Sequence, residues 1–213
     1  MVITVLGASG RTGRHVLRLL VRRGHTVRAG LRSRRRSEAV AGLGATPVVA
    51  DLATDPAELV DVFVGSDVVV NCAGAADPSP AAVNLIDRDG AIAAIHSAEQ
   101  AGVRRYLQLS AMFADTPDQG DRLVRSILYA KQISDTALRR SSLVWTVIRL
   151  AVLTDDPGTG RIAAASHLDA GHIPRADVAA VVLGCLTEPR TENRGFDLRS
   201  GDLPVAAALA SLA

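Results

Sequence analysis

The chain has 213 residues, of which 48% are apolar and 22% charged, the balance of one globular domain with material for a sizeable core. Its net charge of +2 is too small to mark a polyanion binder, so nucleic acid is not expected as a partner. No apolar run approaches the roughly 20 residues that cross a bilayer, the strand-like start at Val2 is unlike a secretory leader, and Cys72 and Cys185 match no metal or redox spacing. A cytoplasmic protein with reduced cysteines and no bound metal is expected.

The order of elements is that of alternating strands and helices. Val2–Leu6 is a continuous apolar run ending in glycine, as in a central parallel strand covered on both faces. A helix follows from about Gly10, with Val16, Leu19 and Leu20 at helical spacing, Arg14, Arg18 and Arg22 between them, and Gly24 as its stop. Strands are expected at Thr26–Leu31, 47–50 and 67–72, with a helix at Pro56–Phe63 capped by Thr54 or Asp55. An alanine-rich helix over 83–101 ends at Gly102; a strand over 105–110, a helix over 121–140 and a strand over 145–150 complete the regular part. Beyond Leu150 the pattern loosens into a turn-rich loop over 155–160, a helix at 177–186, a strand at 195–198 and a helix at 204–212. This alternation predicts a Rossmann-type doubly wound parallel sheet, one domain over 1–213. Its nucleotide-binding core is 1–150, and 151–213 form a small substrate-side region at the carboxyl ends of the strands.

Gly7, Gly10 and Gly13 sit at the junction of the first strand and first helix. A dinucleotide needs small residues there: one for the sharp bend, one for close approach of the pyrophosphate, one for helix packing, with free helix N–H groups facing the anion. The second strand runs into Arg32-Ser33-Arg34-Arg35-Arg36 with no acid before Glu38. A carboxylate there would bind ribose hydroxyls and repel a 2′-phosphate. Arg32 and Ser33 can instead donate to one, so NADP(H) is expected over NAD(H). Lys131 is the only lysine among 24 basic residues. Two readings stand side by side: an arginine bias of genome composition, or a position that needs a compact ammonium rather than a planar guanidinium.

Taken in order, the glycine turn, Arg32-Ser33, Asp51-Leu52, Asn71-Cys72-Ala73-Gly74, Ser110, Lys131, Trp145-Thr146-Val147-Ile148-Arg149 and Arg175-Ala176-Asp177-Val178-Ala179 carry a resemblance over nearly the whole chain. The chain resembles the atypical short-chain dehydrogenase/reductase superfamily, in particular its NADPH-binding branch of flavin reductases and biliverdin-reductase-B-like proteins. The resemblance implies that Gly7, Ser9, Gly10, Arg11, Thr12 and Gly13 line the pyrophosphate and that Arg32 and Ser33 hold the 2′-phosphate. It also implies that Asp51-Leu52 lie near the adenine, Ala73-Gly74 near the nicotinamide ribose, and Ser110 and Lys131 at the reacting end.

One departure matters. Relatives of this kind place a proton-donating tyrosine four residues before the lysine, where this chain has Ile127. Tyr129 is two residues from Lys131 and lies about 200° around a helix from it. Alcohol–ketone chemistry is therefore not expected, whereas reduction of a flavin, quinone or similar conjugated acceptor, which solvent can protonate, remains open. Two alternatives stand beside that reading: an NADP(H)-sensing regulatory protein without turnover, and a nucleotide-sugar epimerase or dehydratase, which the short region after Leu150 disfavours. Among the five histidines only His172 is a candidate substrate contact. A small-molecule substrate, no membrane, and a monomer or homodimer complete the expectation.

Overall fold

The structure, a computed structural model, describes residues 1–54, 56–119, 121 and 124–212. Along the chain run β1 (Val2–Leu6), α1 (Arg11–Arg22), β2 (Thr26–Leu31), α2 (Ser37–Ala41), β3 (Thr46–Val49), α3 (Pro56–Phe63), β4 (Val68–Asn71), α4 (Pro80–Val83) and α5 (Ala91–Gln100). Then follow β5 (Arg105–Ala111), α6 (Arg125–Arg140), β6 (Val144–Leu150), β7 (Val152–Thr154), β8 (Arg161–Ala165), β9 (His172–Pro174), α7 (Arg175–Cys185), β10 (Arg194–Ser200), β11 (Leu203–Pro204) and α8 (Val205–Ala210). Of the caps expected before α3, Asp55 lies outside the described residues, and Thr54 turns its hydroxyl back onto the Asp51 carbonyl. The first turn expected of the 121–140 helix includes 122 and 123, also outside them.

Among the described residues nine strands form one sheet in the order β11-β8-β10-β6-β5-β4-β1-β2-β3. Every pairing from β3 across to β10 is parallel, which is the doubly wound arrangement the alternation predicts. The central strands read as unbroken apolar runs because both faces are covered: Ile3, Val5 and Leu6 on β1, and Val69 and Val70 on β4, are completely buried. Helix α1 buries Val16, Leu17 and Leu20, with Leu19 only partly covered, so its inward face is rotated slightly from the one the spacing suggested.

Two features differ from the sequence pattern. The segment before β5 starts earlier than expected, at Pro80, and Asn84–Gly90 between α4 and α5 widens into a π-helical stretch. The tail also extends the main sheet: β10 lies parallel beside β6, β8 and β11 continue antiparallel, and α7 packs across α1. The alanine-rich β8 shows no alternation that would have marked it as a strand. The separate ribbon β7-β9 follows β6 directly.

Strand order reverses at β1, which has β2 on one side and β4 on the other, and the crevice of such a sheet opens at the carboxyl ends of those strands.

Candidate functional site

The crevice is a cleft of about 430 Å³ whose walls include Gly7, Ser9, Gly10, Gly30, Arg32, Ser33, Asp51, Leu52, Ala73 and Gly74. Its shape comes from backbone that no side chain could replace. Gly7 has φ +66°, and a Cβ there would sit 2.7 Å from the Ala73 backbone at the end of β4. A Cβ on Gly13 would fall 2.3 Å from the Gly7 carbonyl, so α1 can start against the turn only because position 13 has none. Gly10 caps α1 without a side-chain bond, and no acidic residue occupies its first turn. The opening N–H groups of this 12-residue helix therefore remain available to an anion.

At the far end the chain leaving β2 turns through Arg34–Arg36, which brings Arg35 and Arg36 to the cleft beside Arg32. Arg36 donates to the Ser9 carbonyl at 3.1 Å and ties this basic turn to the glycine loop. Its place in the arginine run was visible in the sequence, its contact with the glycine loop was not. Asp51 lines the cleft and also accepts from the Ala53 amide at 3.1 Å, so it holds its own turn while presenting an edge to the site.

The remaining expected residues lie apart from this lining. Arg11 is exposed and ion-paired at 2.7 Å with Asp155, which also takes Arg175 at 2.7 Å, so the loop after β7 is fastened over the start of α1. Thr12 and Gly13 are buried in the first turn of that helix. His172 is exposed on the β7-β9 ribbon. Ser110 on β5 and Lys131 on α6 are each about 5–6% exposed and are not part of the cleft lining.

That buried region holds two carboxylates the sequence reading did not single out. Lys131 Nζ is 2.9 Å from Asp87 Oδ1, and Asp87 Oδ2 accepts from the Ala75 amide at 2.9 Å. The π-helical stretch thus fastens both the lysine and the 73–75 loop of the cleft. Ser110 Oγ is 2.5 Å from Asp135 Oδ2, and Gln108 Nε2 donates to Asp135 Oδ1 at 2.7 Å. Burial pushes the Asp135 carboxyl above the usual carboxylate range against the pull of these bonds and of Lys131. The one available signal was the spacing on α6: Lys131 and Asp135 are four apart, on a face that also buries Leu128 and Leu138.

Tyr129 points the other way. It is 40% exposed, and its hydroxyl donates to Asp118 Oδ1 at 2.7 Å, which with a small desolvation raises the phenol above its ordinary value. Among the described residues no helix is long and apolar enough to cross a membrane.

The glycine cradle, open helix end and arginine-lined rim fit a dinucleotide. Comparison with known proteins agrees: the model of the NAD(P)H-binding family matches residues 7–189. An uncharacterized sugar epimerase of Bacillus subtilis, YhfK, is 35% identical over 214 residues, covering 100% of both chains. The solved structure of a candidate NAD-dependent epimerase/dehydratase from Bacillus halodurans superposes with a TM-score of 0.92 at 33% identity, covering 98% of each chain. ChuY, an anaerobillin reductase from Escherichia coli O157:H7, shares the fold at a TM-score of 0.81 and 21% identity, covering 95% of this chain and 98% of its own.

Proposed function

The chain belongs to the NAD(P)H-binding family, within the atypical short-chain dehydrogenase/reductases, and from that premise we propose that it is a cytoplasmic NADPH-dependent reductase of a flavin, quinone or similar planar conjugated acceptor. The observation that carries the reading is the reacting end of the site: position 127 is isoleucine, and Tyr129 is turned out to Asp118. An acceptor whose reduced form is delocalised does not require the phenol.

When bound, the reduced nicotinamide supplies a hydrogen with its electron pair. The chain's residues do the rest. Gly7, Gly10 and Gly13, with Ser9, Arg11 and Thr12, would hold the pyrophosphate by main-chain N–H groups and positive charge. Arg32 and Ser33, reinforced by Arg35 and Arg36, would hold the 2′-phosphate, and Asp51-Leu52 the adenine end. Lys131, kept in place by Asp87, would bind the nicotinamide-ribose hydroxyls beside Ala73-Gly74, with Ser110 at the acceptor and His172 on its outer side.

The name of the Bacillus subtilis relative favours a second reading, action on a nucleotide sugar. The isoleucine at 127 and the outward turn of Tyr129 weigh against it, since they leave no phenol beside Lys131 to exchange a proton with a sugar hydroxyl. The test is NADPH oxidation against flavins, quinones and nucleotide sugars, with titration of both cofactors into wild type and Arg32→Ala. Turnover with conjugated acceptors, and a loss of about 1.5–3 kcal/mol in NADPH but not NADH affinity on removing Arg32, are expected. Tight NADPH binding with no turnover of any acceptor would make the protein a cofactor sensor, and equal NADPH affinity in both proteins would remove Arg32 from the site.

A further inference from the structure

A directed chain of hydrogen bonds runs from the cleft to Asp135. It starts at a main-chain amide, which can only donate: Ala73 N–H bonds Asn71 Oδ1 at 3.0 Å. That orients the Asn71 amide, whose Nδ2 donates to Gln108 Oε1 at 3.4 Å. Gln108 is oriented in turn, with Nε2 donating to Asp135 Oδ1 at 2.7 Å and Ser134 Oγ at 3.2 Å. Asp135 Oδ1 is therefore an acceptor, and a proton on this carboxyl resides on Oδ2, 2.5 Å from Ser110 Oγ.

The local charges favour such a proton. Asp87 and Asp135 are both buried, and Lys131 stands 2.9 Å from Asp87. The buried Arg149 of β6, in register with Ser110, is taken by Asp197. Arg139, one turn along α6 from Asp135, is exposed. Just after β4 the Cys72 thiol, pushed up to about 12 by burial, lies within the field of Lys131, and from β5 the phenol of Tyr106 is raised beyond its ordinary range, so both are neutral. Asp135 is thus left without a cation of its own in a region where an unpaired charge is costly. With Oδ2 protonated and donating to Ser110, the Ser110 O–H is released from Asp135, and Ser110 stands one residue before the carboxyl end of β5, the end of the sheet at which the crevice opens.

We propose that Asp135 holds a proton in the folded protein and passes it through the Ser110 hydroxyl to the acceptor, in place of the tyrosine absent from position 127. This rests on the reductase reading. As the acceptor gains its hydrogen and electron pair, the Ser110 Oγ–H bond breaks and that proton moves to the acceptor heteroatom. The Asp135 Oδ2–H bond breaks as its proton moves to Ser110 Oγ, and solvent reprotonates the carboxylate. Ser110 is the catalytic residue and Asp135 the positioning residue behind it.

Aspartate labelled with carbon-13 at the side-chain carboxyl follows the proton without turnover. The resonance missing from Asp135→Asn should titrate well above those of exposed aspartates; titration among them overturns the proposal. In acceptor reduction, kcat should fall as pH rises through that titration. Asp135→Asn should lose this dependence and about 10²–10⁴-fold in kcat, with NADPH affinity kept. Ser110→Ala should show the same kcat loss and carries the test if Asp135→Asn does not fold. Wild-type turnover matched by the variants defeats the relay alone. A wild type that reduces no acceptor defeats the reductase reading, and the relay with it.

Discussion

Replacing Asp87 by asparagine would leave the Lys131 ammonium 6% exposed with no carboxylate at 2.9 Å. If the amide oxygen keeps the Ala75 bond, the amide nitrogen faces Lys131, so the change removes one charge and sets a donor against the ammonium. At an effective dielectric of about 20, opposite charges 2.9 Å apart attract by roughly 6 kcal/mol. Part of that is recovered as water or Asp135 adjusts, and breaking a buried pair from one side typically costs about 3–5 kcal/mol. For a chain of this length, each kcal/mol is worth about 2–4 °C, so a midpoint lower by roughly 6–20 °C is expected in thermal unfolding followed by far-UV circular dichroism. Lys131→Met should be costly for the reciprocal reason, whereas Asp87→Asn/Lys131→Met together should recover most of the loss, because a neutral pair leaves no stranded charge. With each single variant costing about 3–5 kcal/mol and the double variant little, the double-mutant cycle thus reads a coupling of at least about 3 kcal/mol. An Asp87→Asn protein within about 1 kcal/mol of wild type, the range of exposed pairs, would refute the reasoning.

Three further outcomes are expected. Gly13→Ala would force its Cβ to within 2.3 Å of the Gly7 carbonyl; a cost of about 1–3 kcal/mol or more and weaker NADPH binding should appear in unfolding and titration, and an unperturbed protein would show that the turn is looser than described. Tyr129→Phe removes only the exposed bond to Asp118, so kcat should stay within about twofold of wild type; a loss of about 10²-fold or more would make the phenol a proton donor. Asp135 has its folded carboxyl raised above the unfolded value of about 3.9, so its stabilising contribution is full below that value and is lost as pH rises through the raised one. Asp135→Asn should therefore gain on wild type in stability as pH increases, and a gap that is flat or closes the other way in denaturant unfolding would reverse the assignment.

Much of the frame was legible along the chain because its causes are local. The apolar run of β1, the bend at Gly7 and the helix packed against it at Gly13 occupy adjacent residues, so strand, turn and helix could be read together with the anion they suit. The arginines after β2 and the solitary Lys131 announce themselves by residue type. So does the missing tyrosine, because a helix of known period makes Ile127, not Tyr129, the residue facing with Lys131. What lies behind these residues was decided in three dimensions. Asp87 reaches Lys131 from the π-helical stretch between α4 and α5, and Asp135 meets Ser110 only after β5 and α6 pack. Arg36 closes on Ser9 across 27 residues, and Asp155 fastens Arg11, 144 residues away, to Arg175, 20 residues away. Apolar periodicity tells which face of an element is covered and does not say which polar group will meet it there. Buried carboxylates follow no such period: their positions are set by the donors and cations that folding brings to them, and only the tertiary structure assembles those.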